Sequence, residues 1–320
     1  MSMEFGNLAG SIAGDGRITA EEILELRRLG WADGKMDPEE AESLFLANDG
    51  CAAPTSEWCD FFVEALSTFI VNTVEPKGYV DDEMGDELIS RIDRDGRVGS
   101  MAELELLVKV SELALNLPDR LKAYALKQIE EAVLHGDGPT RHGELTPKGI
   151  NETECTLLRR LIFASGSDRP AEVSRREAEM LFRIKDETLY EVNAKDWEKL
   201  FVQGVANYLL GFSGHEPLSH DRAAELERFM NRQGAGIGGF LGRMFTSRPD
   251  FAGAFGSLLD ISPHAPGIEE EAEAAAELTE EESHWLADLL EADEELDPLE
   301  KALIAFIAEE TGEVFGVKVG

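Results

Sequence analysis

Basic residues are scarce in this sequence. Its 320 residues carry 30 Lys and Arg against 65 Asp and Glu, a formal net charge of −35. A surface that negative repels nucleic-acid phosphates and anionic headgroups and draws in cations and basic proteins, so no DNA or RNA partner is expected. Cysteine is scarcer still. Cys51, Cys59 and Cys155 are odd in number and contain no C-x-x-C pair, which argues against a disulfide framework or a cysteine zinc cluster and fits a reducing cytoplasm. No apolar run approaches the roughly 18 residues needed to span a bilayer. Met1 to Gly10 lack the basic flank and apolar core of a secretion signal. Neither membrane insertion nor secretion is expected.

Apolar residues are plentiful, at 43% of the chain, so folding is expected despite the charge. The length suits two domains or slightly more. Internal similarity supports that division. Ile18-Thr19-Ala20-Glu21-Glu22, followed by Leu26 to Leu29 and Ala32, returns 132 positions later as Ile150-Asn151-Glu152-Thr153-Glu154, Leu158 to Leu161 and Ala164. It returns again as Leu278-Thr279-Glu280-Glu281-Glu282, Leu286, Leu289 and Ala292, with weaker copies at Val80-Asp81 and Leu218-Ser219. Each start offers a capping side chain, and Glu22, Glu154 and Glu282 complete capping boxes, so these are helix entrances.

Second helices are expected from Asp37-Pro38-Glu39-Glu40 and Asp297-Pro298-Leu299-Glu300, which place Pro at the first helical position. Glu177 to Glu179 and Leu181-Phe182 match Glu40 to Glu42 and Leu44-Phe45. Trp58, Phe61, Phe62, Ala65, Leu66, Phe69 and Ile70 form one apolar helical stripe, repeated 139 positions on from Trp197 to Leu209. The stripe reads as core. The expected fold is all-α, built of tandem helical repeats. Residues 1–138 form a first domain, 139–149 a linker, 150–261 a second, degenerate domain, 262–277 a linker with an acidic stretch, and 278–320 a terminal half-copy shaped as a helical hairpin.

The turn Ala32-Asp33-Gly34-Lys35-Met36-Asp37-Pro38-Glu39-Glu40, inside a helical domain of this size, resembles the TerB-like domains linked to tellurite resistance. The resemblance implies an all-helical, non-enzymatic domain with an acidic, metal-associated surface. Asp33, Asp37 and Glu40 would be the site, with Asp293, Asp297 and Glu300 its echo. The second copy departs from the pattern, since Ala164-Ser165-Gly166 lacks the Asp.

A second resemblance is to the calcium loop of EF-hands. Gly14-Asp15-Gly16-Arg17-Ile18-Thr19-Ala20-Glu21-Glu22 looks like its latter half, with Asp15 at the fifth position and Glu22 at the twelfth. Calcium wants six to eight oxygens, yet Ser11 and Ala13 occupy the first and third positions, so few ligands remain. Asp93-Arg94-Asp95-Gly96 offers two acids, with Glu103 one residue out of register. Calcium or another divalent cation is the only cofactor expected.

Catalytic motifs fail on inspection. His215-Glu216-Pro217-Leu218-Ser219-His220 has its second His one residue late and a Pro where a helix is needed. Gly211-Phe212-Ser213-Gly214-His215 lacks the last Gly of a nucleophile elbow. Gly234-Ala235-Gly236-Ile237-Gly238-Gly239 follows a polar helical segment rather than a strand. The expected function is that of a non-enzymatic acidic protein, an interaction or cation-associated module in a stress or tellurite response. The alternatives are an EF-hand-related calcium protein and a metal-dependent helical hydrolase. Residues 228–255 are Gly-rich, basic and aromatic, suited to an acidic partner, a peripheral membrane contact or the chain's own acidic surface. The principal partner expected is a basic or cationic protein.

Overall fold

The computed structural model describes residues 2–30, 36–52, 54–74, 77–141, 147–164, 173–210, 285–287, 289–290 and 296–311. Helices begin where the sequence supplies an acceptor for the free N–H groups of a first turn. Thr19 opens α2 (Ala20–Gly30), accepting from the Glu22 amide at 3.2 Å while the Glu22 carboxylate accepts from the Thr19 amide at 2.8 Å. Asp37 opens α3 (Pro38–Gly50) and Asn151 opens α8 (Glu152–Ile162), each in a reciprocal box with the Glu three residues on. Single-sided caps start α4 (Ser56–Thr68) at Thr55 and α5 (Asp82–Ile92) at Asp81. Ser100 caps α6 (Met101–Leu113). Ser174 and Asp297 open α9 (Arg175–Thr188) and α11 (Pro298–Thr311). The described residues are all-α apart from one two-stranded hairpin.

Two elements lie outside the expected pattern. α1 (Ser2–Asp15) buries Phe5, Ala9 and Ile12 against α3, and ends at Gly16, whose φ of 73° suits glycine. The hairpin pairs β1 (Asp93–Arg94) with β2 (Arg97–Val98) around Asp95-Gly96, both with positive φ, as a two-residue turn of the primed kind requires. The sequence signal was present, but the acids of Asp93 to Gly96 drew the calcium-loop reading instead.

The chain divides into two compact units, residues 1–171 with 186–195 and residues 172–185 with 196–320. This division differs from the boundary expected at 139–149, because α8 packs on α6 and α7 (Asp119–His135). In the first unit the expected stripe is the core. Trp58, Phe61, Phe62, Ala65 and Leu66 of α4 are buried, and α4 packs on α6 and α2. After Thr68 the helix widens into a π-helical turn, Phe69–Thr73.

In the second unit Leu181 and Phe182 of α9, Trp197, Leu200, Phe201 and Val205 of α10 (Trp197–Leu210), and Leu303 and Ile307 of α11 are buried. α10 packs on α11, and the Trp285 ring stands edge-on to Phe182 at 5.8 Å and to Tyr208 at 4.8 Å. No helix among the described residues is long and apolar enough to cross a membrane.

Candidate functional site

A carboxylate that caps a helix has already given part of its coordinating capacity to backbone amides. That bears directly on the expected cation ligands. Asp37 and Glu40 exchange hydrogen bonds with each other's amides at 2.9 and 3.1 Å, and Glu40 is buried. Glu22 accepts from both the amide and the hydroxyl of Thr19. Of Asp15 the structure describes the backbone, which closes α1. The first five positions of the calcium-loop register, Ser11 to Asp15, therefore lie in helix, and only Gly16 to Thr19 lie between α1 and α2. Asp33, Asp293 and the segment 228–255 lie outside the described residues.

The Asp297–Glu300 pair is the most fully engaged. Asp297 Oδ1 accepts from the amides of Leu299 and Glu300 at 2.7 and 2.9 Å, and Glu300 Oε2 accepts from the Asp297 amide at 2.9 Å. The two remaining oxygens accept from one ammonium: Lys185 Nζ donates to Asp297 Oδ2 at 2.7 Å and to Glu300 Oε1. Lys185 is 1% exposed, and its Nζ also lies 5.4 Å from the Phe182 ring centroid. All four carboxylate oxygens are thus occupied, and a cation of the chain's own sits where a divalent ion would be bound.

Two sites in the first unit repeat this arrangement. Glu154 is buried and receives Arg141 Nε at 2.6 Å and Nη2 at 2.7 Å, with the Thr140 hydroxyl at 2.7 Å. Glu103, also buried, accepts from the Ser100 hydroxyl at 3.1 Å and faces Arg94 at 3.5 Å. Arg94 continues to Asp49 at 2.6 Å, and Asp49 meets Arg91 at 3.0 Å. These groups, with Asn48, Cys51 and Gly99, line a pocket of about 400 Å³. Burial holds the Glu103 carboxyl above its ordinary range against the pull of Arg94 and Ser100.

The acids of the hairpin are likewise engaged. Asp93 Oδ1 accepts from the Tyr124 hydroxyl at 2.7 Å and Oδ2 from the Gly96 amide at 3.0 Å. Those two donors hold its pKa below the usual value. Burial and the Asp93 hydrogen bond push the Tyr124 phenol upward, so it stays a donor.

Sequence reading found the carboxylates and missed their cations. For Lys185 a signal existed: Ala178, Leu181, Phe182 and Lys185 fall at i, i+3, i+4 and i+7, placing a lysine in an apolar stripe. For Arg141, which reaches Glu154 from a 3₁₀ turn, Pro139–Arg141, no periodic signal exists. The exposed acids are differently placed. Asp81, Asp82, Glu83, Asp86 and Glu87 all lie exposed on or beside α5, whose opposite side buries Gly85, Leu88 and Ile92. Comparison with protein-family models, curated proteins and solved structures finds no match to this chain.

Proposed function

We propose that this chain is a non-enzymatic, acidic helical interaction module, of the kind its TerB-like resemblance implies, that takes a basic protein partner in the cytoplasm. The observation that carries the reading is the division of labour among carboxylates. Turn acids such as Glu103, Glu154 and Glu300 are withdrawn from solvent and face cations of the chain's own. The α5 acids are left facing water, and among them Asp86 pairs with Arg120 at 2.6 Å. A one-sign face of this sort steers an oppositely charged partner and fixes its register. Divalent cations, on this reading, associate loosely with the exposed acids and not with the turn carboxylates.

Calorimetry tests both halves. Calcium, magnesium and zinc titrated into the chain give no saturable binding below about millimolar concentration, the weak end of oxygen-ligand sites. A lysine-rich peptide binds with an affinity that falls steeply with salt. Reversing Glu83 and Glu87 to Lys weakens that binding about tenfold, the scale of a few exposed charge pairs, while reversing Glu21 and Glu25 on α2 does not. Stoichiometric micromolar calcium binding, or equal effects of the two reversals, would overturn the reading.

A further inference from the structure

The helical cores of the two units share two ring-packing geometries at matching sequence positions. Phe45 meets Phe62 edge-on at 5.5 Å and 89°, and Phe182 meets Phe201 at 5.2 Å and 79°. Trp58 lies 6.0 Å from Phe62, tilted 43°, and Trp197 lies 6.1 Å from Phe201, tilted 52°. α3 and α4 are thereby equivalent to α9 and α10. What packs on them decides a further equivalence. α4 carries α6, and α10 carries α11. On α3, Asn48 Nδ2 donates to the Ser100 hydroxyl, the cap of α6, at 3.3 Å. On α9, the residue at the matching position is Lys185, and it donates to Asp297, the cap of α11.

The third residue of each capped helix, Glu103 or Glu300, is buried at the same junction. Upstream, buried Leu88 and Ile92 correspond to buried Leu286 and Leu290 once the connection to the capped helix is one residue shorter in the second unit. We propose that residues 285–310 are the counterpart of 87–113, and not of the first helical hairpin. The α9–α10 face is then a docking site whose ligand is an acid-capped helix, and Lys185 is its specificity-determining residue.

The two sites have exchanged their polar chemistry. In the first unit Asn48 is both donor to Ser100 and acceptor from Trp58 Nε1, at 3.1 Å. In the second, lysine can only donate. It gains two carboxylates, and the indole of Trp197, 2% exposed, has no hydrogen-bond partner for Nε1 among the described residues. The ligand helix is distant in sequence, since Leu210 ends α10 and Pro298 begins α11. Tyr208 and Trp285, on either side of residues 211–284 in sequence, meet edge-on at 4.8 Å.

The full chain, with a site-specific protease sequence inserted between Gly238 and Gly239, is cut and passed through gel filtration. The two pieces co-elute. Separation of the wild-type pieces under native conditions overturns the proposal. In the cut chain, Lys185→Met weakens retention of the C-terminal piece by roughly a hundredfold, the scale of stranding a buried charge, whereas Lys301→Met on the exposed side of α11 leaves it unchanged. If Lys185→Met does not fold, the decisive comparison is Lys185→Asn with Lys185→Asn/Asp297→Ser. The double variant rebuilds the Asn, Ser and Trp set of the first unit and restores retention that the single variant loses. A double variant no better than the single one contradicts the equivalence.

Discussion

Arg141 and Glu154 meet through a two-pronged contact in which Nε lies 2.6 Å from one carboxylate oxygen and Nη2 lies 2.7 Å from the other. Both side chains are buried, at 6% and 0% exposure. The guanidinium also donates to the carbonyls of Pro147 and Gly149, at 3.3 and 2.6 Å, so it ties the entrance of α8 to the turn before it. Such a pair contributes little net stability over an apolar pair of the same shape, but breaking it from one side is costly.

Arg141→Met therefore destabilises the first unit by about 3–5 kcal/mol, because Glu154 stays buried without its cation. Arg141→Met/Glu154→Leu recovers more than half of that loss. Urea unfolding followed by far-ultraviolet circular dichroism measures both. A double variant as unstable as the single one would show that packing of the guanidinium stem, not the buried charge, sets the cost.

The two core tryptophans should respond unequally to the same truncation. Trp58→Phe removes the bond to Asn48 and leaves the amide oxygen of Asn48 without its donor, whereas Trp197→Phe loses no hydrogen bond present among the described residues. The volume lost is equal, so Trp58→Phe is the more destabilising by about 1 kcal/mol, the net worth of one buried hydrogen bond. Equal shifts in the unfolding midpoint would contradict this.

Acid sensitivity divides between two carboxylates of opposite behaviour. Glu103 has its folded pKa raised by burial, so the folded state binds its proton more tightly than the unfolded chain does. Its charged form therefore costs stability, and the cost grows as pH rises above the unfolded value of 4.5 and levels off above the folded pKa. Glu103→Gln is thus more stable than the wild type at pH 7, with an advantage that disappears as pH falls to the ordinary carboxylate range. Asp93, lowered by Tyr124 and Gly96, behaves in reverse. Its contribution is complete above the unfolded value of 3.8 and is lost as pH falls through the lower folded pKa. Asp93→Asn destabilises at pH 7 and converges on the wild type in strong acid. Thermal unfolding across pH 2–8 reads both curves.

These contrasts explain which features the sequence made legible. Caps and apolar stripes are local: Thr19 with Glu22, Asn151 with Glu154 and the run from Trp58 to Ile70 announce themselves within one or two turns. The all-α class follows from them. The partner of a buried carboxylate is not local. Lys185 and Glu300 are 115 positions apart, and Arg94 reaches Asp49 across 45, so the acids alone resembled cation ligands. The hairpin at Asp95-Gly96 carries its signal in the turn alone, because strands of two residues are too short to alternate. α1 went unread because its apolar positions Phe5, Ala9 and Ile12 share the helix with three glycines and two serines, which hide a helix that tertiary packing against α3 supports.

Gly204 offers the last test, because it stands where the first unit has Ala65. A Cβ at Gly204 would overlap Leu181 Cδ1, while Ala65 is accommodated fully buried beside α6. Helix propensity alone favours Gly204→Ala by about 1 kcal/mol. Overpacking of a closed core opposes it by about 1–3 kcal/mol, and Leu181 is itself fully buried, so its methyl has to move within the core. The overlap wins, so Gly204→Ala lowers the unfolding midpoint of the second unit. Shortening the opposing side chain removes the conflict: in a Leu181→Val background the same alanine becomes neutral or stabilising. The sign of that coupling, read from a double-mutant cycle, decides the matter. A penalty from Gly204→Ala that is unchanged in the Leu181→Val background would mean that something other than this contact demands glycine there.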